Sequence, residues 1–367
     1  MSGLYIHIPF CKSKCFYCSF SSYEKKDELT GPYLEALGSE ALHYIGSTFD
    51  TVYIGGGTPS YLSIPELKIL FEAIRSGPTF KKDPEVTIEA NPATFDADSA
   101  RALFDLGVNR VSLGCQSLND KYLKFLGRPH NRKQAISAFE LLKKSGFKNI
   151  SLDLIYSLPD QNLQEIKDDV LGLLSLGSQH ISLYTLSISE GSEFYRRQMG
   201  SVPPEKQSED YMFVRHLILD AGFEHYEVSN FAKKGFECRH NVNYWQGGDY
   251  IGLGSAAHSH MGGRRFWNIS EPEAYILALN TKGSAKAGEE KLSGQERFME
   301  AFLIGLRLTE GVDIMELGSR FNTKLTCEKE EQVSGFVRDG LLVKDRDRIK
   351  VSMSGMVVLD EICSRLI

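Results

Sequence analysis

The chain has 367 residues, 42% of them hydrophobic and 25% charged, with a formal net charge of −6 and a pI near 5.9. Such a composition is ordinary for a globular protein and argues against a nucleic-acid surface. No apolar stretch approaches the roughly 20 residues of a membrane span, and Met1–Phe10 lacks the basic and apolar regions of a signal peptide, so a cytoplasmic setting is expected.

In chain order, the first two-thirds alternates between two periodicities. Short β-rich runs predict strands over Leu4–Ile8, Thr51–Ile54, Glu85–Glu89, Arg110–Leu113, Ile150–Ile155 and His180–Leu186. Amphipathic runs between them predict helices over Tyr33–Ile45, Ile64–Ile74, Ala97–Leu106, Arg132–Lys144 and Leu163–Leu176. This alternation implies an α/β fold with a parallel sheet and right-handed crossovers, a partial (β/α)6 TIM-type barrel. In such barrels the chemistry gathers at the C-terminal ends of the strands. After the sixth strand, Pro203–Pro204 opens a helix over Gln207–Ala221, and a glycine-rich stretch runs from Asn230 to Arg264. A break near Thr281–Gly294 separates a barrel domain, residues 1–285, from a small C-terminal domain, residues 286–367. The latter reads as three helices, strands over Leu341–Lys344 and Arg348–Ser352, and a last helix over Gly355–Leu366, in the order of a winged helix. Acidic residues outnumber basic ones from Gly288 onward, so this unit is expected to pack rather than to read DNA.

Seven cysteines are present, and Cys11, Cys15 and Cys18 form a CxxxCxxC loop directly after the first strand. The spacing suits a metal site in a reducing compartment better than a disulfide framework. Thiolates are ligands for zinc or for Fe–S clusters, but structural zinc takes four protein ligands and no fourth Cys or His follows nearby. Three thiolates on a [4Fe–4S] cubane leave one iron open to a chelating amino-acid ligand. Three structural cysteines or a zinc knuckle are the alternatives. Gly55-Gly56-Gly57-Thr58-Pro59 ends the second strand, either as a backbone surface for a ligand or as a tight turn. Glu89 and Asp153 are acids at strand ends, where an unpaired buried carboxylate is costly, so each binds a ligand or joins an ion pair. Gln116 and Arg128 share that ambiguity. Arg128 suits a ligand carboxylate because guanidinium binds carboxylate through two parallel hydrogen bonds. His240-Asn241-Val242-Asn243-Tyr244-Trp245 pairs an imidazole, a good axial ligand for heme iron, with two aromatic rings. His258, His260 and Cys238 are further candidate ligands, and the alternative is a turn with Trp245 in the core.

The motifs YIHIPFC at Tyr5–Cys11, GGGTP at Gly55–Pro59, IEANP at Ile88–Pro92, SLGCQS at Ser112–Ser117 and DLIYSLP at Asp153–Pro159 resemble the oxygen-independent coproporphyrinogen III oxidase-like family of radical S-adenosyl-L-methionine (SAM) proteins. The resemblance runs from Tyr5 to about His260. It implies a [4Fe–4S] cluster on Cys11, Cys15 and Cys18, with SAM able to yield a 5′-deoxyadenosyl radical on reduction. It carries SAM contacts onto Tyr5, Tyr17, Gly56, Gly57, Thr58, Glu89, Gln116, Arg128 and Asp153, with Ser187 and Ala256 the weaker matches. The dehydrogenases of this family have a fourth cysteine where this chain has Phe20, and a longer N-terminal segment. These departures and the HNxxYW pattern point to a paralogous heme-chaperone branch. That branch implies heme on His240, the C-terminal unit helping to cover it, and transfer to an acceptor protein. It also implies a reductant such as flavodoxin or ferredoxin, and admits peripheral membrane association. The alternatives are oxidative decarboxylation of coproporphyrinogen III, or a binding module in which the cluster is structural.

Overall fold

The computed structural model describes residues 1–367. Six parallel strands, β1 (Ser2–Ile8), β2 (Thr48–Gly56), β3 (Thr79–Ala90), β4 (Arg110–Gln116), β5 (Ile150–Tyr156) and β6 (His180–Thr185), lie side by side in sequence order. Helices Thr30–Ala41, Ile64–Ser76, Ala97–Asp105, Arg132–Lys144 and Leu163–Leu176 connect them. Local chemistry sets several helix starts. Ser63 with Glu66, Asn131 with Gln134 and Asn162 with Glu165 form capping boxes, each satisfying two orphan amides. Losing one such cap costs about 1 kcal/mol.

The barrel does not close. The strands β7 (Glu224–Glu227), β8 (Asn230–Ala232), β9 (Asp249–Leu253), β10 (His258–Met261), β11 (Arg264–Asn268) and β12 (Lys286–Lys291) extend it at both ends. The twelve-stranded sheet runs β12-β11-β10-β9-β1-β2-β3-β4-β5-β6-β8-β7. Strand β9 joins β1 in parallel, with Leu4 opposite Ile251, and the strands beyond it turn antiparallel. The region expected as a break thus contains β12. Its sequence KAGEEK carries no apolar alternation because the strand is an exposed sheet edge, where charge discourages further pairing. Its register comes instead from pairing with β11, and Trp267 packs so close to Gly288 that a Cβ there would lie 2.5 Å from the indole.

Both faces of the barrel sheet are covered, yet the two faces differ. Leu4, Ile6, Val52, Ile54, Ile88, Val111, Leu113, Leu152, Ile181 and Leu183 belong to the core under the helices. Their neighbours of opposite parity, Tyr5, Tyr53, Glu89, Ser112 and Asp153, line cavities on the inner face. The period-2 alternation therefore marks a polar lumen rather than a solvent face.

Helices Gly294–Gly305, Ile314–Phe321 and Cys327–Arg338 pack with a three-stranded sheet in the order β13 (Val312–Asp313), β15 (Arg348–Val351), β14 (Leu342–Asp345), in which β13 follows the first helix and the other two follow the third, and the helix Leu359–Leu366 ends the chain. The unit docks onto the sheet edge: Val228 N–H donates to Arg307 O at 3.0 Å, and Thr309 N–H donates to Tyr226 O at 3.1 Å. Backbone groups that the edge strand β7 would leave unpaired are satisfied in this way.

Candidate functional site

The cysteine loop is tied at its base and along its length. Phe10–Cys11 pairs with Tyr23–Glu24. His7 donates from Nε2 to Ser21 O at 2.8 Å, which leaves Nδ1 to accept from the Tyr5 hydroxyl at 2.9 Å. Lys14 Nζ donates to Phe20 O and Ser22 O. Two donors face the sulfurs: Thr58 Oγ1 lies 3.4 Å from Cys11 Sγ, and Arg128 Nη1 lies 3.2 Å from Cys15 Sγ. Burial pushes the Cys11 and Cys18 thiols up, so a metal must displace their protons on binding. No three His, Cys, Asp or Glu side chains close on one metal ion, whereas all three thiols line a single cavity of about 430 Å3. Donors spread around a cavity fit a multi-iron cluster better than tetrahedral zinc. The other cysteines lie elsewhere. Cys115 is in the core, Cys327 is exposed on the C-terminal unit, and Cys238 packs at the barrel base, its thiol pushed up to about 12 by burial.

The triple glycine is required by the protein's own packing. A Cβ at Gly55 would lie 2.9 Å from the Glu89 carboxyl, and one at Gly57 would lie 2.7 Å from Phe10 O and 3.0 Å from Cys11 Sγ. Gly56 has φ +114°, and its Cβ would lie 2.5 Å from the His7 ring. Glu89 is held by this turn. It accepts from Tyr53 Oη at 2.9 Å and from Gly56 N–H at 3.0 Å, and burial pushes its carboxyl up to about 7. It makes no ion pair. Asp153 accepts from Ser112 Oγ at 3.0 Å, and burial raises its pKa as well. Gln116 has φ +65°, a strained conformation for a residue with a Cβ, and its Oε1 is buried without a partner. Arg128 spends two donors on Cys15 and Gly114 O, leaving Nε buried and unpartnered.

Tyr17, Gly56, Gly57, Thr58, Glu89, Gln116, Arg128, Asp153 and Ser187 all line the cavity of the three cysteines. A second cavity of about 620 Å3 adjoins it and holds the remaining candidates, Tyr5, Ala256 and His240. Gly56, Glu89 and Phe20 line both. The second cavity also takes His7, Tyr53, Tyr244, Trp245, His258 and His260, with Arg297, Glu300 and Phe321 from the C-terminal unit.

The HNVNYW segment lies away from the C-terminal strand ends that carry the cysteine loop, with His240 against Gly3 and Thr51. It forms the helix Arg239–Trp245 across the N-terminal ends of β1 and β2. Its first amides donate to the Glu85 carboxylate, at 3.0 Å from both Arg239 and His240, an acid placed where a helix N-terminus favours one. Gly3 is what lets the ring in, because a Cβ there would lie 2.9 Å from His240 Cε1. His240 is 1% exposed, with Nδ1 2.7 Å from Thr51 Oγ1 and Nε2 2.9 Å from Tyr244 Oη. Burial, aided by Arg110, pushes its pKa down to about 3, so the ring is neutral. His258 is exposed and stacks on Trp267, and His260 Nε2 has no hydrogen-bond partner. The sequence reading missed Tyr53, His7, Arg297 and Glu300. The inward parity of Tyr5-His7 and Tyr53-Gly55 was the available signal for the first two; nothing local marked the others.

An open parallel barrel with a three-thiol loop at the end of its first strand defines a protein of the radical SAM class. Residues 5–171 match the radical SAM superfamily, and residues 292–358 match the HemN C-terminal domain. The fold agrees: the chain superposes along its full length on 89% of the solved Escherichia coli coproporphyrinogen III oxidase HemN, with a TM-score of 0.87 at 22% identity. The chain belongs to the heme chaperone HemW family. It is 36% identical to the heme chaperone HemW of Lactococcus lactis, covering 96% of this chain and 94% of that protein. It is 33% identical to that of Bacillus subtilis, covering 99% and 98%, and 33% identical to that of Escherichia coli, covering 98% and 96%.

Proposed function

We propose that the chain is a heme chaperone that carries heme in the larger cavity and passes it to an acceptor protein, with a [4Fe–4S] cluster and SAM in the smaller one. The observation that carries this reading is the pairing of the cavities. A chamber with three thiols shares Gly56, Glu89 and Phe20 with a larger one that has four histidines and the rings of Tyr5, Tyr53, Tyr244 and Trp245 in its walls. Apolar walls with a few placed polar groups are what a flat macrocycle requires. When bound, the cluster and SAM supply one-electron reductive cleavage of the sulfonium. The residues proposed to hold SAM are the glycine turn, Thr58, Glu89 and Gln116, with Tyr5, Tyr17, Asp153, Ser187 and Ala256 around them. Arg128 holds the cluster through Cys15 and keeps Nε for a ligand carboxylate. His240 reaches heme iron through Nε2 by exchanging Tyr244 for the metal, whereas His260 offers Nε2 directly.

The proposal extends to a low-potential reductant of the flavodoxin or ferredoxin class and to a cytoplasmic protein that meets its acceptor at the membrane surface. No helix is long and apolar enough to cross a membrane. The test is to incubate the reconstituted protein separately with heme and with coproporphyrinogen III. A Soret band with heme and no protoporphyrinogen IX is expected. Turnover of coproporphyrinogen III under reducing conditions with SAM would overturn the reading in favour of the decarboxylase.

A further inference from the structure

We propose that Arg297, on the first helix of the C-terminal unit, anchors a propionate carboxylate of the bound macrocycle, so that the acidic edge of the porphyrin faces that unit and its iron faces the histidines. The inference rests on the heme reading and adds to it the orientation of the cargo and a residue that selects for its acidic groups.

The larger cavity has three charged side chains in its walls besides the histidines: Glu89, Glu300 and Arg297. Glu89 is held by Tyr53 and the Gly56 amide, and burial pushes its carboxyl up to about 7. Glu300 pairs with Arg265 at 3.3 Å, an arginine it shares with Glu290 at 2.6 Å. Arg297 joins no ion pair, and its Nε is buried with no hydrogen-bond partner. The remaining nearby arginines do not line this cavity and are engaged elsewhere. Arg320 donates to Gln246 O at 2.7 Å, and Arg307 lies over Trp245 at 4.8 Å and beside Asp360 at 3.7 Å. Arg297 is therefore a half-buried cation of the cavity wall with no carboxylate of the chain paired to it, and a ligand carboxylate would supply that partner.

Arg297 is also held in place. Its guanidinium lies 4.9 Å from the centre of the Phe321 ring. Gly263, at φ +77°, leaves the space it fills, since a Cβ there would lie 2.9 Å from Arg297 Cδ and Nε. A preset planar fork binds carboxylate through two parallel hydrogen bonds, which an ammonium cannot do.

The experiment titrates the full-length, cluster-loaded protein with heme and with heme dimethyl ester, in which both propionates are methylated, following the Soret band. Wild type is expected to prefer heme. Arg297→Leu should lose about tenfold in heme affinity and leave the ester unchanged, the loss of roughly one charge-assisted contact. Arg297→Lys should retain part of the preference, and it serves as the second variant should Arg297→Leu fold poorly, as judged by its cluster absorption and unfolding midpoint. Equal affinities of wild type for the two ligands would overturn the inference, as would a leucine variant that weakens both alike. Wild-type protein that binds neither ligand would overturn the heme reading itself, and this inference with it.

Discussion

The two cavities differ in how far apart in the chain their walls originate. The smaller is made almost wholly of strand ends and the loops that follow them, and its groups hold one another: Lys14 ties Phe20 and Ser22, Thr58 and Arg128 face sulfurs, and Glu89 caps the glycine turn. The larger draws on β1, the Arg239–Trp245 helix, β10 and the C-terminal unit; both keep unpartnered polar atoms, at Gln116 and Arg128 in the smaller and at His260, Trp245 and Arg297 in the larger. Local packing that fixes a loop and a turn suits a group held in set geometry, a wall gathered from distant segments suits cargo that comes and goes, and the unpartnered atoms of both are left for a ligand to satisfy.

The comparison breaks first, and most completely, at the thiols. Replacing Cys11, Cys15 or Cys18 by Ala should abolish the [4Fe–4S] absorption and EPR signals of reconstituted protein. Cys115→Ala and Cys327→Ser should leave them intact, because the first side chain lies in the core and the second is exposed on the C-terminal unit. A full cluster in Cys15→Ala would show that the three-thiol assignment is wrong.

Next come the glycines. Gly57→Ala would press a methyl against Phe10 O and Cys11 Sγ, so iron content should fall several-fold while the fold persists. Gly56→Val would strike His7 and so disturb the loop as well as a ligand. It therefore reports on the cluster and SAM together and cannot separate them. Normal iron content in Gly57→Ala would mean that the turn yields more easily than its contacts suggest.

In the larger cavity the expected effects are partial. His260→Ala should shift the Soret maximum and weaken heme binding by roughly ten- to a hundredfold, a range typical of perturbed metal sites. His240→Ala removes the partner of Thr51 and Tyr244, which costs about 1–3 kcal/mol of stability when such groups stay buried. A Soret shift in His240→Ala with none in His260→Ala would place the iron on His240 and require Tyr244 to turn away.

Much of the smaller site was legible because its signals are local. The loop spacing, the glycine run and the acids at strand ends each lie within a few residues of a strand whose apolar parity is plain, as in Leu4-Tyr5-Ile6-His7-Ile8. The helices were equally legible where caps bound them, and Arg132–Lys144 and Leu163–Leu176 begin and end where expected. The larger site was not. Arg297 looks like any solvated helix residue until Phe321 and Gly263 enclose it, and β12 carries no apolar alternation. His240 could be found as a residue but not located, because its position depends on Gly3, Thr51 and Glu85, which are distant in sequence and adjacent only after the sheet forms.

The smallest effect concerns His240 as part of the fold, and it is read in heme-free protein. The ring is enclosed by Thr51, Tyr53 and Tyr244, with the Arg110 cation adding to the penalty on its charged form. Its pKa of about 3 in the fold lies below the usual histidine value of about 6.5 in an unfolded chain. Between those values the unfolded chain binds a proton that the folded chain refuses. Stability from this group is therefore fully present above about pH 7 and declines as the pH falls through 6.5 toward 3. Going from about pH 7 to about pH 5.5, this one group should remove about 1 kcal/mol. Other buried histidines, His180 among them, act in the same direction and are common to wild type and variant. His240→Asn retains a polar contact for Thr51 but has no proton to gain, so its stability should fall less steeply over that interval when urea unfolding is measured at both ends. Equal slopes in the two proteins would mean that His240 accepts its proton within the folded chain, and that Tyr244 and Thr51 hold the ring far more loosely than its burial indicates.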